Sequence, residues 1–164
     1  MSEQREAPMR FRRRVTKELS CEVGAPAERV FSVFSEVGNH IGRHPFLREI
    51  DVHGDRYEDG TRHLEFTAVE RIPVAGVPIN SRIRARQRID PAGLWYEVDT
   101  WTAPGVVTHQ RAVFHDLGDG RTRVAERMTF EANALLIGFT VSQGVAAHER
   151  TLAALKEAVE NGEP

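Results

Sequence analysis

Apolar and polar residues alternate along most of this chain, and the period of the alternation changes near its C-terminal end. From Val15 onward, Val15, Leu19, Cys21 and Val23 take one side while Thr16, Glu18, Ser20 and Glu22 take the other. A period of two is the mark of a half-buried strand. Gly24-Ala25-Pro26 breaks it. Pro26 is placed to open a helix, with Glu28 in its first turn and Val30, Phe31, Val33, Phe34 and Val37 as its apolar face. Gly38-Asn39 is expected to end that helix, and His40 to Pro45 to form a short second helix or turn closed by the proline.

Six further strands are expected, divided by turn residues. Leu47 to Val52 stops at His53-Gly54-Asp55, and Asp59-Gly60 turns into Thr61–Arg71. Ile72 to Pro78 reads as an apolar loop with two prolines and a glycine, a candidate lid. Ile79 to Ile89 alternates cleanly, and Leu94 to Thr102 turns at Ala103-Pro104-Gly105 into Val106–Leu117. Gly118-Asp119-Gly120 is the strongest hairpin signal and leads into Thr122–Glu131. Strands joined by loops this short are antiparallel neighbours.

The period then lengthens. Across Ala134 to Glu160, Val141, Val145, His148, Leu152, Leu155 and Val159 recur at steps of four and three, one face of a helix. Gly144 interrupts this helix at a cost of about 1 kcal/mol against alanine. A histidine on the buried line needs a hydrogen-bonding partner once dry. Together they predict that the first half of the helix faces a cavity and the second half a packed core. A twisted sheet with one apolar face has only this helix to cover it.

Composition narrows the classes. The 164 residues, 40% hydrophobic and 28% charged, fit one globular domain over residues 12–161 behind a disordered lead-in at 1–11. A formal charge of −2 offers no global attraction to nucleic acid or an anionic surface, though Arg12-Arg13-Arg14 forms a local cluster, either a solvated strand start or a binding patch. Cys21 is the single cysteine, which excludes an internal disulfide and suits a reducing cytoplasm. No apolar run approaches the ~20 residues of a membrane span.

Few polar side chains are placed to point inward. Glu126 shares the parity of Val124, Met128 and Phe130, which puts a carboxylate on an apolar face, the setting in which general acids arise. His148, on the helix above, is its candidate partner; the structural alternatives are a bulge or an arginine for Glu126 and a satisfied core position for His148. Arg82, Arg84, Arg86 and Arg88 occupy one face of the fourth strand, and Glu97 and Asp99 stand in phase with Trp95 and Trp101 on the fifth. Either the acids pair with the arginines across an outer face, or some arginines face inward to meet an anionic group. His40, His44, His63, His109 and His115 form no metal-binding pattern, and no phosphate loop or nucleophile elbow is present, so no metal or cofactor is expected.

The order of elements, with Val23-Gly24-Ala25-Pro26-Ala27-Glu28-Arg29-Val30-Phe31, Asn39…His44-Pro45 and Gly118-Asp119-Gly120-Arg121-Thr122-Arg123-Val124, resembles the START-like superfamily from about Arg14 to Glu160. His40 and Arg43 stand where that group usually carries tryptophans, which makes this side of the expected cavity mouth more polar. The resemblance implies an α+β helix-grip fold: a seven-stranded curved antiparallel sheet around a long C-terminal helix, with two short helices between strands one and two. It implies a hydrophobic small-molecule ligand such as a polyketide, lipid or aromatic metabolite; the charge balance adds no nucleic-acid partner, and a monomer or homodimer is expected. Arg88, Tyr96, Phe66, Met128 and Phe130 from the sheet, and Val141, Gly144 and Val145 from the helix, are the expected ligand contacts. The superfamily also includes polyketide cyclases, for which Glu126 and His148 would be the catalytic pair with Arg88 and Tyr96 orienting the substrate. It further includes resistance proteins cleaved by an enediyne ligand, for which Gly76, Gly105 and Gly144 would be the scission points.

Overall fold

The computed structural model describes residues 11–163, so nearly all of the expected lead-in, residues 1–10, lies outside the described residues. Seven strands form one antiparallel sheet: β1 (Arg12–Val23), β2 (Leu47–Glu58), β3 (Thr61–Val74), β4 (Val77–Asp90), β5 (Trp95–Thr102), β6 (Val106–Gly118) and β7 (Arg121–Asn133). Their order across the sheet is β1-β7-β6-β5-β4-β3-β2. Between β1 and β2 lie α1 (Ala27–Phe34) and a 3-10 helix (Val37–His40). The long helix α2 (Ile137–Glu160) closes the concave face, resting mainly on β1 and β7. This is the helix-grip architecture expected from the order of elements.

The core lies under the second half of α2. Leu152, Leu155 and Val159 are buried against Val30, Phe31 and Phe34 of α1 and Phe114 of β6. The rings of Phe31 and Phe34 meet that of Phe114 edge-on at 5.4 and 5.8 Å. Each such side chain contributes about 1.5–3 kcal/mol by leaving water. No residue of α2 before Ala147 is fully buried. The division of the helix into a cavity half and a core half is therefore present.

Three local expectations are corrected. The second helix covers Val37–His40, so Gly38-Asn39 lies inside it rather than ending α1, which stops at Phe34. β2 does not stop at Val52: His53 is a bulge, the register passing from Val52↔Phe66 to Gly54↔Glu65, and the His53 ring bonds the Thr67 hydroxyl at 2.7 Å. Residues 72–78 are not a loop. They pair as Ile72↔Ile79, Pro73↔Pro78 and Val74↔Val77, turning at Ala75 and Gly76, whose φ angles of 49° and 79° fit a two-residue hairpin turn. β2 pairs with β3 only to Glu70, and β5 with β4 only to Ile83. The tip projects past both neighbours, where prolines interrupt no ladder.

Candidate functional site

The space between the sheet and the first half of α2 is a cavity of about 460 Å³. Phe66, Ala68, Ile83, Ala85 and Val98 line its sheet side, and Thr140, Gln143, Gly144, Ala147 and His148 its helix side. Ile72, Val74, Ile79, Pro104, Leu136 and Phe139 border it where the hairpin tip meets the start of α2. β-alternation sends one residue in two inward from each strand, so this wall follows from the parity of the sequence.

The polar groups gather around His148. Its Nδ1 lies 2.5 Å from Oε1 of Glu126, which sits on β7 opposite Leu19 and Ala112 and is only 3% exposed. The carboxylate accepts, so Nδ1 carries the proton and Nε2 is the ring's other nitrogen, without a hydrogen bond among the described residues. Burial, the largest single effect, opposes the imidazolium, but the charge and hydrogen bond of Glu126 with the charge of Glu70 together outweigh it, and the His148 pKa is raised above its ordinary value.

His44 stands edge-on to His148, ring centres 5.9 Å apart. Its Nδ1 accepts the Phe46 N–H at 3.3 Å, which leaves the proton of the neutral ring on Nε2, 3.7 Å from Oε1 of Glu70. Burial, then the charges of His148 and His40, push the His44 pKa down to about 3. His40 donates from Nε2 to the Phe34 carbonyl at 2.7 Å, and burial lowers its pKa too. Burial raises the Glu70 pKa against the pull of His148. The cluster thus concentrates positive charge on His148 and holds its other two imidazoles neutral.

Two more groups complete the wall. Gln87 donates from Nε2 to the Ser35 carbonyl at 2.9 Å, which fixes the amide, and its buried Oε1 has no partner among the described residues. Tyr96 is buried with its ring 6.0 Å from that of Phe114, and burial keeps its hydroxyl protonated well above the usual phenol range.

Of the expected site residues, Phe66, Tyr96, Phe130, Gly144 and His148 line the cavity, and Glu126 stands behind His148. Four do not reach it. Arg88 has a side chain 52% exposed on the outer face, paired with Glu97, which also holds Arg111. The stripe Arg82, Arg84, Arg86, Arg88 is the outer face of β4, with Arg84 and Arg86 over the Trp101 ring at 5.0 and 5.7 Å. Val141 and Val145 turn to a shallow groove against Val15 and Lys17 of β1. The cavity side of α2 is Thr140, Gln143, Gly144 and Ala147, the neighbouring face, because the helix lies over β1 and presents its valines there. Met128 is fully buried but off the cavity wall, since α2 covers β7 at its level.

Glu70, His44 and Gln87 were not expected; His40, which the family resemblance set at the cavity mouth, lines the cavity. Glu70 shares the parity of Leu64, Phe66 and Ala68, and Gln87 that of Ile83, Ala85 and Ile89. The rule that placed Glu126 inward places these inward as well. Gly144 also has a second role: a Cβ there would lie 2.5 Å from Cε1 of Phe130, so the glycine gives that ring room. Gly144→Ala is expected to lose about 1 kcal/mol of stability, as overpacking of about 2 kcal/mol exceeds the helix-propensity gain of about 1 kcal/mol. Urea denaturation measures it, and a stabilised variant would show that the ring moves freely.

No protein-family model matches the chain, and no curated protein matches it. Solved structures do. An aromatase/cyclase, Zhui from Streptomyces sp. R1128, superposes with a TM-score of 0.65 at 19% identity, over 92% of this chain and 93% of that one. A START superfamily protein from Mycobacterium smegmatis gives 0.64 at 18% identity, over 89% and 97%. The di-domain aromatase/cyclase StfQ of the steffimycin biosynthetic pathway gives 0.66 at 20% identity; 89% of this chain matches 45% of that one. The chain is similar to these in fold, a seven-stranded sheet gripping a long C-terminal helix.

Proposed function

We propose that the cavity binds a hydrophobic small molecule, of polyketide, lipid or aromatic character, whose polar end meets the His148–His44–Glu70 cluster. One observation carries this reading: about 460 Å³ of largely apolar space ends on converging imidazole and carboxyl groups. That size falls within the range of small-molecule sites, which pair apolar walls with a few placed polar groups. The test is binding of an environment-sensitive naphthalene dye to the wild-type chain, to Ala68→Phe and to Arg88→Gln. Ala68 faces the cavity and Arg88 faces solvent. The reading expects binding to be lost in the first variant and unchanged in the second; equal binding by all three would overturn it. Native mass spectrometry of protein from its own host would identify the molecule carried.

The His148–Glu126 pair favours a second reading, proton transfer on the bound molecule. Glu126 holds Nδ1–H, so any proton exchanged with a ligand passes through Nε2. With the pKa raised, the imidazolium acts first as an acid, protonating a hydroxyl that departs as water; the neutral ring left behind then removes a proton from carbon next to a carbonyl. This is the dehydration step of an aromatase or dehydratase, acting on the hydroxyl left when a poly-β-ketone has closed a ring. His148→Gln keeps a polar side chain but cannot exchange the proton. Turnover that survives this change would defeat the catalytic reading and leave the binding one standing.

A further inference from the structure

The described residues expose nine large hydrophobic side chains, and six of them, Phe11, Val74, Val77, Ile79, Leu135 and Phe139, stand at the open end of the cavity. Val74, Ile79 and Phe139 line the mouth itself. Phe11 and Leu135 join them because the Ala134 N–H donates to the Phe11 carbonyl at 2.6 Å. Leu135 is 92% and Val77 61% exposed, on a helix lead-in and a hairpin tip that nothing among the described residues covers. Clustering of this kind marks a contact surface rather than scattered surface apolarity.

Arginines stand behind this rim. Arg12, Arg13, Arg71 and Arg82 are exposed at the same end. Arg12 reaches only the Gly105 carbonyl, and Arg13, Arg71 and Arg82 have no ion pair among the described residues. Of the acids nearby, Glu131 pairs with Arg14 and His109 and Glu70 lies in the cavity, while Glu49, opposite Val69, is exposed and is outnumbered by the four arginines. Arg71 precedes Val74 by three residues, about 10 Å along a strand. An apolar tip immersed at an interface reaches about 5–10 Å, which sets Arg71 at the level of the phosphates.

We propose that this end docks on the surface of an anionic lipid bilayer, with Val74, Val77, Ile79, Leu135 and Phe139 immersed and the arginines on the headgroups. The immersed residues come from two separate segments on facing sides of an opening, and they form a projecting rim rather than a groove. A bilayer needs no shape complementary to such a rim, whereas an acidic protein partner would. Docked this way, the mouth opens onto lipid, and a hydrophobic ligand passes between membrane and cavity without crossing water. The net charge of −2 turns the rest of the molecule away from the same surface.

Co-sedimentation of the full chain with phosphatidylcholine vesicles, and with the same vesicles containing phosphatidylglycerol, tests this. Binding to the anionic vesicles is expected, reduced by salt and weaker on the neutral ones. Val77 is off the cavity wall, and Val77→Asp is expected to lower vesicle affinity about tenfold or more while leaving thermal unfolding and dye binding unchanged. Arg71→Gln and Arg82→Gln are each expected to lower it about fivefold on anionic vesicles alone. Absence of wild-type binding to anionic vesicles, the outcome if the rim meets an acidic protein, overturns the proposal, as does undiminished binding by Val77→Asp. Neither result touches the ligand reading, which rests on the Ala68→Phe comparison.

Discussion

Acidification from about pH 7 to about pH 4 is expected to remove roughly 3 kcal/mol of folding stability through His44 alone. The ring is buried between His148, Phe46 and Glu70, and its pKa falls from 6.5 to about 3 on folding, first because burial penalises the cation. The unfolded chain therefore binds a proton between those values that the folded chain refuses. The stability is complete above 6.5 and drains as pH falls toward 3, at about 1.4 kcal/mol per unit. His40, also lowered by burial, acts in the same direction. Glu70 acts against it, since a carboxyl raised by burial favours the fold as it protonates. His148 is raised, so its gain on acidification is complete by about 6.5, before the window opens. His44→Gln isolates the effect, because its amide oxygen replaces the acceptor for the Phe46 N–H without taking up a proton. Urea denaturation across this range should show the variant's advantage growing by roughly 3 kcal/mol as pH falls. Parallel curves would mean that His44 is hydrated or protonated in the fold.

The same histidine shows where the sequence stops being legible. Period-two alternation and glycine turns marked all seven strands, and β-parity placed Glu126 inward, while Tyr96 and Phe66 came from the family resemblance. Parity also held Glu70 and Gln87, but a polar residue at an inward position of β3 or β4 is as easily taken for a strand-end solvent contact. His44 lies in an irregular segment after the 3-10 helix, where no period exists to assign a direction. Its place on the wall follows from the chain folding back so that the Arg71 N–H donates to the Phe46 carbonyl, a tertiary contact. The helix failed differently. An apolar stripe fixes a face to within a residue, and α2 has two, one on the core and one on β1. Val141 and Val145 belong to the second, so hydrophobicity alone pointed the cavity side a fraction of a turn wrong. Arg88 reads outward once Glu97 and Arg111 are seen to share its charge.

His148→Leu is expected to cost about 3–5 kcal/mol near neutral pH, more than the ordinary loss of one hydrogen bond. Glu126 is 3% exposed and its short bond to Nδ1 is its sole polar contact among the described residues, so the variant strands a carboxylate beneath a hydrophobic helix. The reverse change, Glu126→Leu, is expected to cost only about 1–2 kcal/mol, because the imidazole sheds its proton and keeps access to the cavity. Leucine at both positions removes the charge together with the need for it, and most of the stability should return. A double-mutant cycle by urea denaturation reads the difference as a coupling energy. The raised His148 pKa sets its pH dependence: the pair's contribution is fully present below about 6.5 and is lost as pH rises through the folded value, so the coupling measured at about pH 9 should be smaller. Equal costs for the two single variants would mean that Glu126 has another partner. The doubly substituted chain also separates the two readings of the site, since a folded protein with leucines there still offers a dry cavity but has no proton to give. If it binds the ligand and transforms none of it where the wild-type chain does, the pair is there for chemistry; if wild-type and variant both merely bind, the pair serves to seat a polar group in an apolar wall.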